Sequence, residues 1–160
     1  MVTIKIIAVG KLKEAYLREA FSEYEKRLSA FCRLTVEETD QAKLPEDPSD
    51  GEIARALEAE ADRILQKIPQ GSLVIPMCIE GRRLSSEELA AYLGQRISGG
   101  AGTIVFIIGG SCGLSDRVKQ RADLKLSMSE MTFPHRLARV MLAEQIYRAF
   151  TIINNRKYHK

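Results

Sequence analysis

Two stretches in the last third of the chain carry residue types that suit ligand binding and proton transfer. The first is the turn at 109–113, Gly-Gly-Ser-Cys-Gly, directly after the apolar segment Thr103–Ile108. The second is the polar segment Ser127–Thr132, which leads into a helix start carrying His135 and, one turn later, Arg139. Glycines after a buried parallel strand let a ligand approach the backbone, and α/β proteins bind ligands at the carboxyl ends of such strands. The two stretches therefore predict one ligand crevice.

Each of these features also has a purely structural interpretation. Glycines allow a tight turn whether or not a ligand binds there. Thr132 would cap the helix that begins at Pro134, because Thr side chains accept hydrogen bonds from the first free helix amides. The terminal Tyr158-His159 pair would ordinarily belong to a frayed end. The Gly109 turn matches neither GxGxxG nor a P-loop, and Cys112 has no evident partner for nucleophilic chemistry.

Composition bounds the class of protein. The chain has 160 residues, of which 45% are hydrophobic and 28% charged, and this fits one globular domain over residues 1–160. The start, Met1–Val9, predicts a strand rather than a signal peptide, and no apolar run is long enough to span a membrane. Three separated cysteines without CxxC spacing predict reduced thiols in a cytoplasmic protein, and we expect no metal site.

Charge is unevenly distributed along the chain, although the net charge is only +3. Residues 37–62 hold ten acids against two bases, whereas residues 131–160 hold six bases against the single acid Glu144. Such asymmetry is typical of a protein with a surface that faces a polyanion. Solvated faces produce the same pattern, so charge alone leaves both interpretations open.

The elements that must position the candidate residues alternate along the chain. Apolar patterns predict strands near Thr3–Val9, Leu34–Glu38, Leu73–Ile79, Thr103–Ile108 and Leu124–Ser127. Helical spacing and capping signals predict helices at about Lys13–Ala30, Gly51–Ile68, Ser85–Ile97 and Ser115–Ala122, and a last one from Pro134. Residues 80–82 are predicted to form a turn. The alternation predicts an open, mostly parallel α/β sheet with helices on both faces.

The last helix is apolar on more than one face. Apolar side chains occur at most positions between Leu137 and Ile153. A helix that is apolar nearly all round must be buried on several sides. A domain this small offers few such sides, so we predict a homodimer.

Several motifs, in order along the chain, resemble the RlmH (YbeA) family of SPOUT-class methyltransferases. They are Ile7–Lys13, Phe106–Leu114, Met131–His135, Glu144–Ala149 and Tyr158-His159, and together they span essentially the whole chain. The resemblance implies an α/β-knot fold with a C-terminal trefoil knot, a feature that general folding rules would not suggest. It also implies a homodimer that uses S-adenosylmethionine to methylate N3 of a pseudouridine. That pseudouridine lies in the helix 69 loop of 23S rRNA, presented by the assembled 70S ribosome.

The same resemblance assigns roles to individual residues. The family's cofactor contacts fall on Met77, Gly109, Met128, Ser129, Glu130, Met131, Thr132 and Phe133. The methyl group arrives activated, so the reaction needs no metal, but the pseudouridine N3–H must lose its proton. We expect Arg139 to stabilise the negative charge, His135 or His159 to accept the proton, and Tyr158 to stack on or orient the base. The tail of one subunit would complete the site of the other. The alternative is a non-enzymatic ribosome- or RNA-binding factor on the same fold.

Overall fold

The computed structural model describes residues 1–160 and contains ten regular elements. The strands are β1 (Thr3–Val9), β2 (Arg33–Thr39), β3 (Leu73–Arg83), β4 (Thr103–Ile108) and β5 (Leu126–Ser127). The helices are α1 (Ala15–Leu28), α2 (Asp50–Gln66), α3 (Ser86–Ser98), α4 (Asp116–Gln120) and α5 (His135–Ile153). The predicted order of elements is confirmed. None of the helices has both the length and the apolar character needed to cross a membrane.

The strands form one parallel sheet in the order β2-β1-β4-β3-β5. Strands β1 and β4 lie in the interior of the sheet, and their residues are almost all buried. A parallel strand covered on both faces needs a near-continuous apolar run, which is what the sequences TIKIIAV and TIVFII supply. The predicted α/β class is therefore confirmed. The trefoil knot stays a prediction.

Helices cover both faces of the sheet, as predicted. Ile4 and Ile6 of β1 point to the larger core, which α1, α3 and α5 close. Ile7 and Val9 point to a smaller core, which α2 and α4 close. This alternation follows from the two-residue period of a strand. Helix α5 packs against both α1 and α3 of its own chain, so much of its apolar surface is covered without a second subunit. The homodimer stays a prediction.

Three local predictions can be compared directly with the structure. The capping box at Ser85 is present, with Ser85 Oγ accepting from the Glu88 amide at 3.1 Å. The turn predicted at 80–82 is wrong, because β3 continues to Arg83 and pairs there with β5. Thr132 does not cap α5: the helix begins at His135, with Pro134 at the capping position and no side-chain cap bond. The helix therefore begins one residue later than the predicted start at Pro134.

Candidate active site

The two stretches singled out in the sequence meet at one cavity of about 820 Å³ at the carboxyl edge of the sheet. The turn after β4, the end of β3 and the loop between β5 and α5 form its walls. Seven of the eight residues predicted to contact the cofactor line it: Met77, Gly109, Met128, Ser129, Met131, Thr132 and Phe133. The volume falls within the range of small-molecule sites. Glu130 points elsewhere, with its carboxylate 3.2 Å from Arg83 Nη1 at the exposed surface.

The glycine turn can be built only without a side chain at position 109. A Cβ added to Gly109 would overlap the carbonyl group of Gly113, lying 2.7 Å from its carbon atom. The turn closes through the Gly113 amide, which donates to the Gly110 carbonyl at 3.1 Å, and Gly113 itself has a φ of 81°. Backbone atoms therefore form the wall of the cavity at Gly109, where a ligand can lie against them.

The opposite wall is a loop shaped by its own serines. Ser127 Oγ donates to the Ser129 carbonyl at 3.0 Å, and Ser129 Oγ accepts from the Met131 amide at 3.0 Å. Between these bonds the loop presents Met128 and, further on, Phe133 to the cavity. Apolar side chains on one side and backbone polar groups on the other suit a flat, partly polar ligand such as a purine base.

His135 is the titratable residue at the inner end of this loop. It is the first residue of α5 and lines the cavity, and its Nε2 is buried with no hydrogen-bond partner in the chain. Burial lowers the pKa of His135, and the positive charges of Arg136 and Arg139 lower it further. The imidazole is therefore neutral at pH 7, which is the protonation state that a proton acceptor requires.

Arg139 does not line the cavity. Its side chain is 3% exposed, and Nη1 donates to Glu38 Oε2 at 2.5 Å while Nη2 donates to the Gly10 carbonyl at 3.1 Å. Glu38 also accepts from the Leu12 amide at 2.9 Å. Burial opposes ionisation of Glu38, but the bonds from Arg139 and Leu12 outweigh it and hold the pKa of the carboxyl below its ordinary value. Arg139 thus joins α5 to the loop between β1 and α1.

The terminal pair lies at the far end of α5. The Tyr158 ring packs edge-on against Tyr147 at 4.8 Å between centroids, and Arg148 lies over it at 4.9 Å. His159 contacts Glu87 through Nε2 at 2.6 Å and Arg148 through Nδ1 at 3.0 Å. Within one chain, the structure therefore separates Tyr158 and His159 from His135.

Other cavity residues escaped the sequence analysis. Cys78, Ile79 and Glu80 line the cavity beyond Met77, and Lys119 of α4 forms an ion pair with Glu80 at 2.5 Å. The first three could have been found, because they follow a strand whose carboxyl end borders the crevice. Lys119 has no local signal, since only the tertiary fold brings α4 to β3.

A parallel α/β sheet with a cavity of this size at its carboxyl edge is typical of the α/β proteins that bind small ligands. The sequence model of the family described as "Predicted SPOUT methyltransferase" matches residues 2–159. The chain therefore belongs to the SPOUT methyltransferase family.

Individual relatives narrow this further. Over 157 residues the chain is 50% identical to "Ribosomal RNA large subunit methyltransferase H" of Carboxydothermus hydrogenoformans, covering 98% of this chain and 99% of that protein. It is also 50% identical over 157 residues, with the same coverage, to "Putative ribosomal RNA large subunit methyltransferase H" of Methanococcus maripaludis. These matches confirm the RlmH family indicated by the motifs. A probable methylase family protein from Haemophilus influenzae Rd KW20 aligns with a TM-score of 0.49 and 17% identity, over 99% of this chain and 70% of that one.

Proposed function

We propose that this protein transfers a methyl group from S-adenosylmethionine to N3 of a pseudouridine in the helix 69 loop of 23S rRNA. The substrate is the assembled 70S ribosome in the cytoplasm. The proposal rests on one observation: seven of the eight residues predicted to contact the cofactor line the same cavity. The chain is also 50% identical to proteins named as methyltransferases of large-subunit ribosomal RNA.

The cavity fits the cofactor in size and in chemistry. Met77, Met128 and Phe133 would enclose the adenine, and the backbone at Gly109 would lie against the cofactor where no side chain fits. S-adenosylmethionine supplies a methyl group already activated by its sulfonium, so the transfer requires no metal. Glu130 lies on the outer side of the loop, where it would stabilise the loop through its ion pair with Arg83 and would not contact the cofactor.

His135 would accept the N3 proton of the base. Its imidazole lines the cavity and is neutral at pH 7 because its pKa is lowered, and a neutral imidazole can accept a proton. Arg139 would stabilise the negative charge that develops on the base, acting from one helical turn behind His135 through the protein interior. Burial keeps solvent from screening this charge, and the ion pair with Glu38 offsets part of it.

Tyr158 and His159 would act in the site of a second subunit. His159 is held at Arg148 and Glu87, and Arg148 lies about 20 Å along α5 from His135, since 13 helical steps rise about 1.5 Å each. In this arrangement His159 does not contact the His135 of its own chain. The active unit we propose is therefore a homodimer in which each tail completes the partner's cavity.

Mixed dimers would show whether a site is completed by the tail of the partner subunit or by the tail of its own chain. We would co-express a His135→Ala subunit with a subunit truncated after Arg156, each with its own affinity tag, and isolate the heterodimer. Completion in trans predicts about half the wild-type activity per dimer, because one of two symmetric sites then has both His135 and a tail. Zero activity in the heterodimer would show that the tail acts in its own chain.

The activity itself is tested with tritiated S-adenosylmethionine and 70S ribosomes from a strain lacking the homologous enzyme. Free 50S subunits and naked 23S rRNA run alongside. We expect label in 23S rRNA from the 70S sample only, on a residue that nuclease digestion identifies as N3-methylpseudouridine. No label in any sample, with no calorimetric binding of the cofactor, would favour a non-enzymatic ribosome-binding factor.

A further inference from the structure

We propose that Lys11, Lys13 and Tyr16 form a docking surface for single-stranded RNA beside the cavity. We call these three residues the α1-entry surface, since they lie in the loop before α1 and in its first turn. The inference rests on the proposed function, because the RNA to be docked is the substrate of the methyl transfer. It adds a contact surface outside the cavity and outside the terminal tail.

Tyr16 is the first observation. Its side chain is 70% exposed, and no other aromatic residue is among the exposed large hydrophobic side chains of the chain. The neighbouring core positions of α1, Leu17 and Phe21, are buried, so Tyr16 lies on the solvent side of an otherwise ordinary amphipathic helix. Exposed aromatic rings are the platforms on which unpaired RNA bases stack.

Charge is the second observation. Lys11 and Lys13 are exposed, and neither forms an ion pair. The two nearby carboxylates are already paired, Glu14 with Arg136 at 2.7 Å and Glu38 with Arg139 at 2.5 Å. Arg18, which donates to the Leu12 and Lys13 carbonyls, adds a further positive charge, and Glu19 is the one unpaired acid close by. The surface therefore keeps a positive excess.

Position is the third observation. The loop at 10–14 is fixed to α5 by the Arg139–Gly10 hydrogen bond and the Arg136–Glu14 ion pair, and to β2 by the Glu38–Leu12 hydrogen bond. Arg136 directly follows His135, which lines the cavity. The α1-entry surface is thus held at the start of α5, the end of the helix at which His135 lines the cavity. Nucleotides that flank this base would place a phosphate on each lysine and a neighbouring base on Tyr16.

The combination favours RNA over a second copy of the chain as the occupant. An aromatic ring between uncompensated lysines is typical of surfaces that bind single-stranded nucleic acid. Two copies of the same positive surface would repel each other, because like charges disfavour a symmetric contact.

The lysines are tested by salt-dependent binding. We would compare Lys11→Ala/Lys13→Ala with Lys26→Ala/Arg33→Ala, which removes the same charge at the opposite end of the sheet and of α1. Sedimentation with vacant 70S ribosomes gives the affinity, and calorimetry with S-adenosylmethionine reports the cavity. Each phosphate contact on a single strand adds about 0.7 to the slope of log K against log salt, so the double variant should lose roughly 25-fold in affinity at 0.1 M salt. The slope should fall by about 1.4.

Tyr16 is tested by exchanging the ring. Tyr16→Leu should weaken ribosome binding by roughly 5- to 150-fold with an unchanged salt slope, and Tyr16→Trp should restore it, since stacking depends on the aromatic face. Cofactor affinity should stay at the wild-type value in every variant.

The outcomes distinguish this inference from the proposed function. Wild-type protein that labels no ribosome would defeat the proposed function itself. If the wild type labels 70S ribosomes but Lys11→Ala/Lys13→Ala keeps the slope of the control, or Tyr16→Leu binds like the wild type, the docking surface is wrong. Loss of dimer in Tyr16→Leu by light scattering would reassign the ring to a contact between subunits.

Discussion

Replacing Gly109 by alanine should remove cofactor binding while leaving the protein folded. The added Cβ would lie 2.7 Å from the carbonyl carbon of Gly113 and 3.1 Å from Leu114 Cδ2. Ordinary contacts begin near 3.4 Å, so the two arms of the turn must separate by several tenths of an ångström, and backbone atoms cannot rotate away as a side chain can. Overpacking of this kind costs about 1–3 kcal/mol in stability. For a chain of this length it lowers Tm by roughly 2–12 °C.

The effect on the ligand should be larger than the effect on stability. The displaced turn would enter the volume that the cofactor occupies, where the backbone at Gly109 would otherwise lie against it. Calorimetry with S-adenosylmethionine and thermal unfolding measure the two effects separately. Gly102→Ala is the matched control, because its φ is ordinary and a Cβ there meets nothing within 4 Å. A Gly109→Ala protein that binds the cofactor with wild-type affinity would refute the assignment of this turn to the cofactor site.

Three further predictions concern α5 and its partners. Glu38→Gln should lower the free energy of unfolding by about 2–3 kcal/mol, because Arg139 then stays buried without its counter-charge. The loss is smaller than for a fully buried pair, because the Glu38 side chain is 36% exposed. Because the folded pKa of Glu38 is depressed, this stabilisation is present above about pH 4.5 and is lost as the pH falls through the folded value, so urea melts of variant and wild type should converge in acid. The kcat/KM of methylation should hold as the pH falls through 6.5 and decline only below it, because the pKa of His135 is lowered, and His135→Gln should abolish that acid limb. Truncation after Arg156 should abolish methylation but keep cofactor affinity by calorimetry, since Tyr158 and His159 contact Tyr147, Arg148 and Glu87 of their own chain and not its cofactor-binding residues.

The sheet was predictable where burial alone determines the local structure. Thr3–Val9 and Thr103–Ile108 were placed to the residue, because a strand buried on both faces must be apolar throughout. The end of β3 was not predicted correctly, and Gly81 shows why. A Cβ at Gly81 would lie 2.8 Å from the Lys125 backbone, so the glycine is needed for the close approach of β5 and not for a turn. Nothing near residue 81 in the sequence reveals that contact.

The candidate site was predictable as a set of positions but not as a set of contacts. Glycines after a strand and a histidine at a helix start are local signals, and the structure brings both to one cavity. The ion pair of Arg139 joins residues 101 positions apart, so its burial could not be inferred from spacing. An arginine within an apolar helix face was the available hint, because such a residue needs a buried partner.

Arg139 can affect the site in two ways, by holding a loop in place and through its charge. The variant Glu38→Gln distinguishes them, because the two predict different changes in the pH dependence of methylation. Through its hydrogen bonds, Arg139 holds the β1–α1 loop against α5. Loss of Glu38 should therefore loosen both the loop and the cavity wall. As a charge, it lies one helical turn from His135, close enough to act on the imidazole. Arg136 and Arg139 lower the pKa of His135, so their charges outweigh the carboxylates paired with them. Removing the negative charge of Glu38 should therefore move the acid limb of kcat/KM to lower pH even as the protein becomes less stable. An acid limb that does not move, together with a reduced kcat, would show that Arg139 acts only by holding the loop.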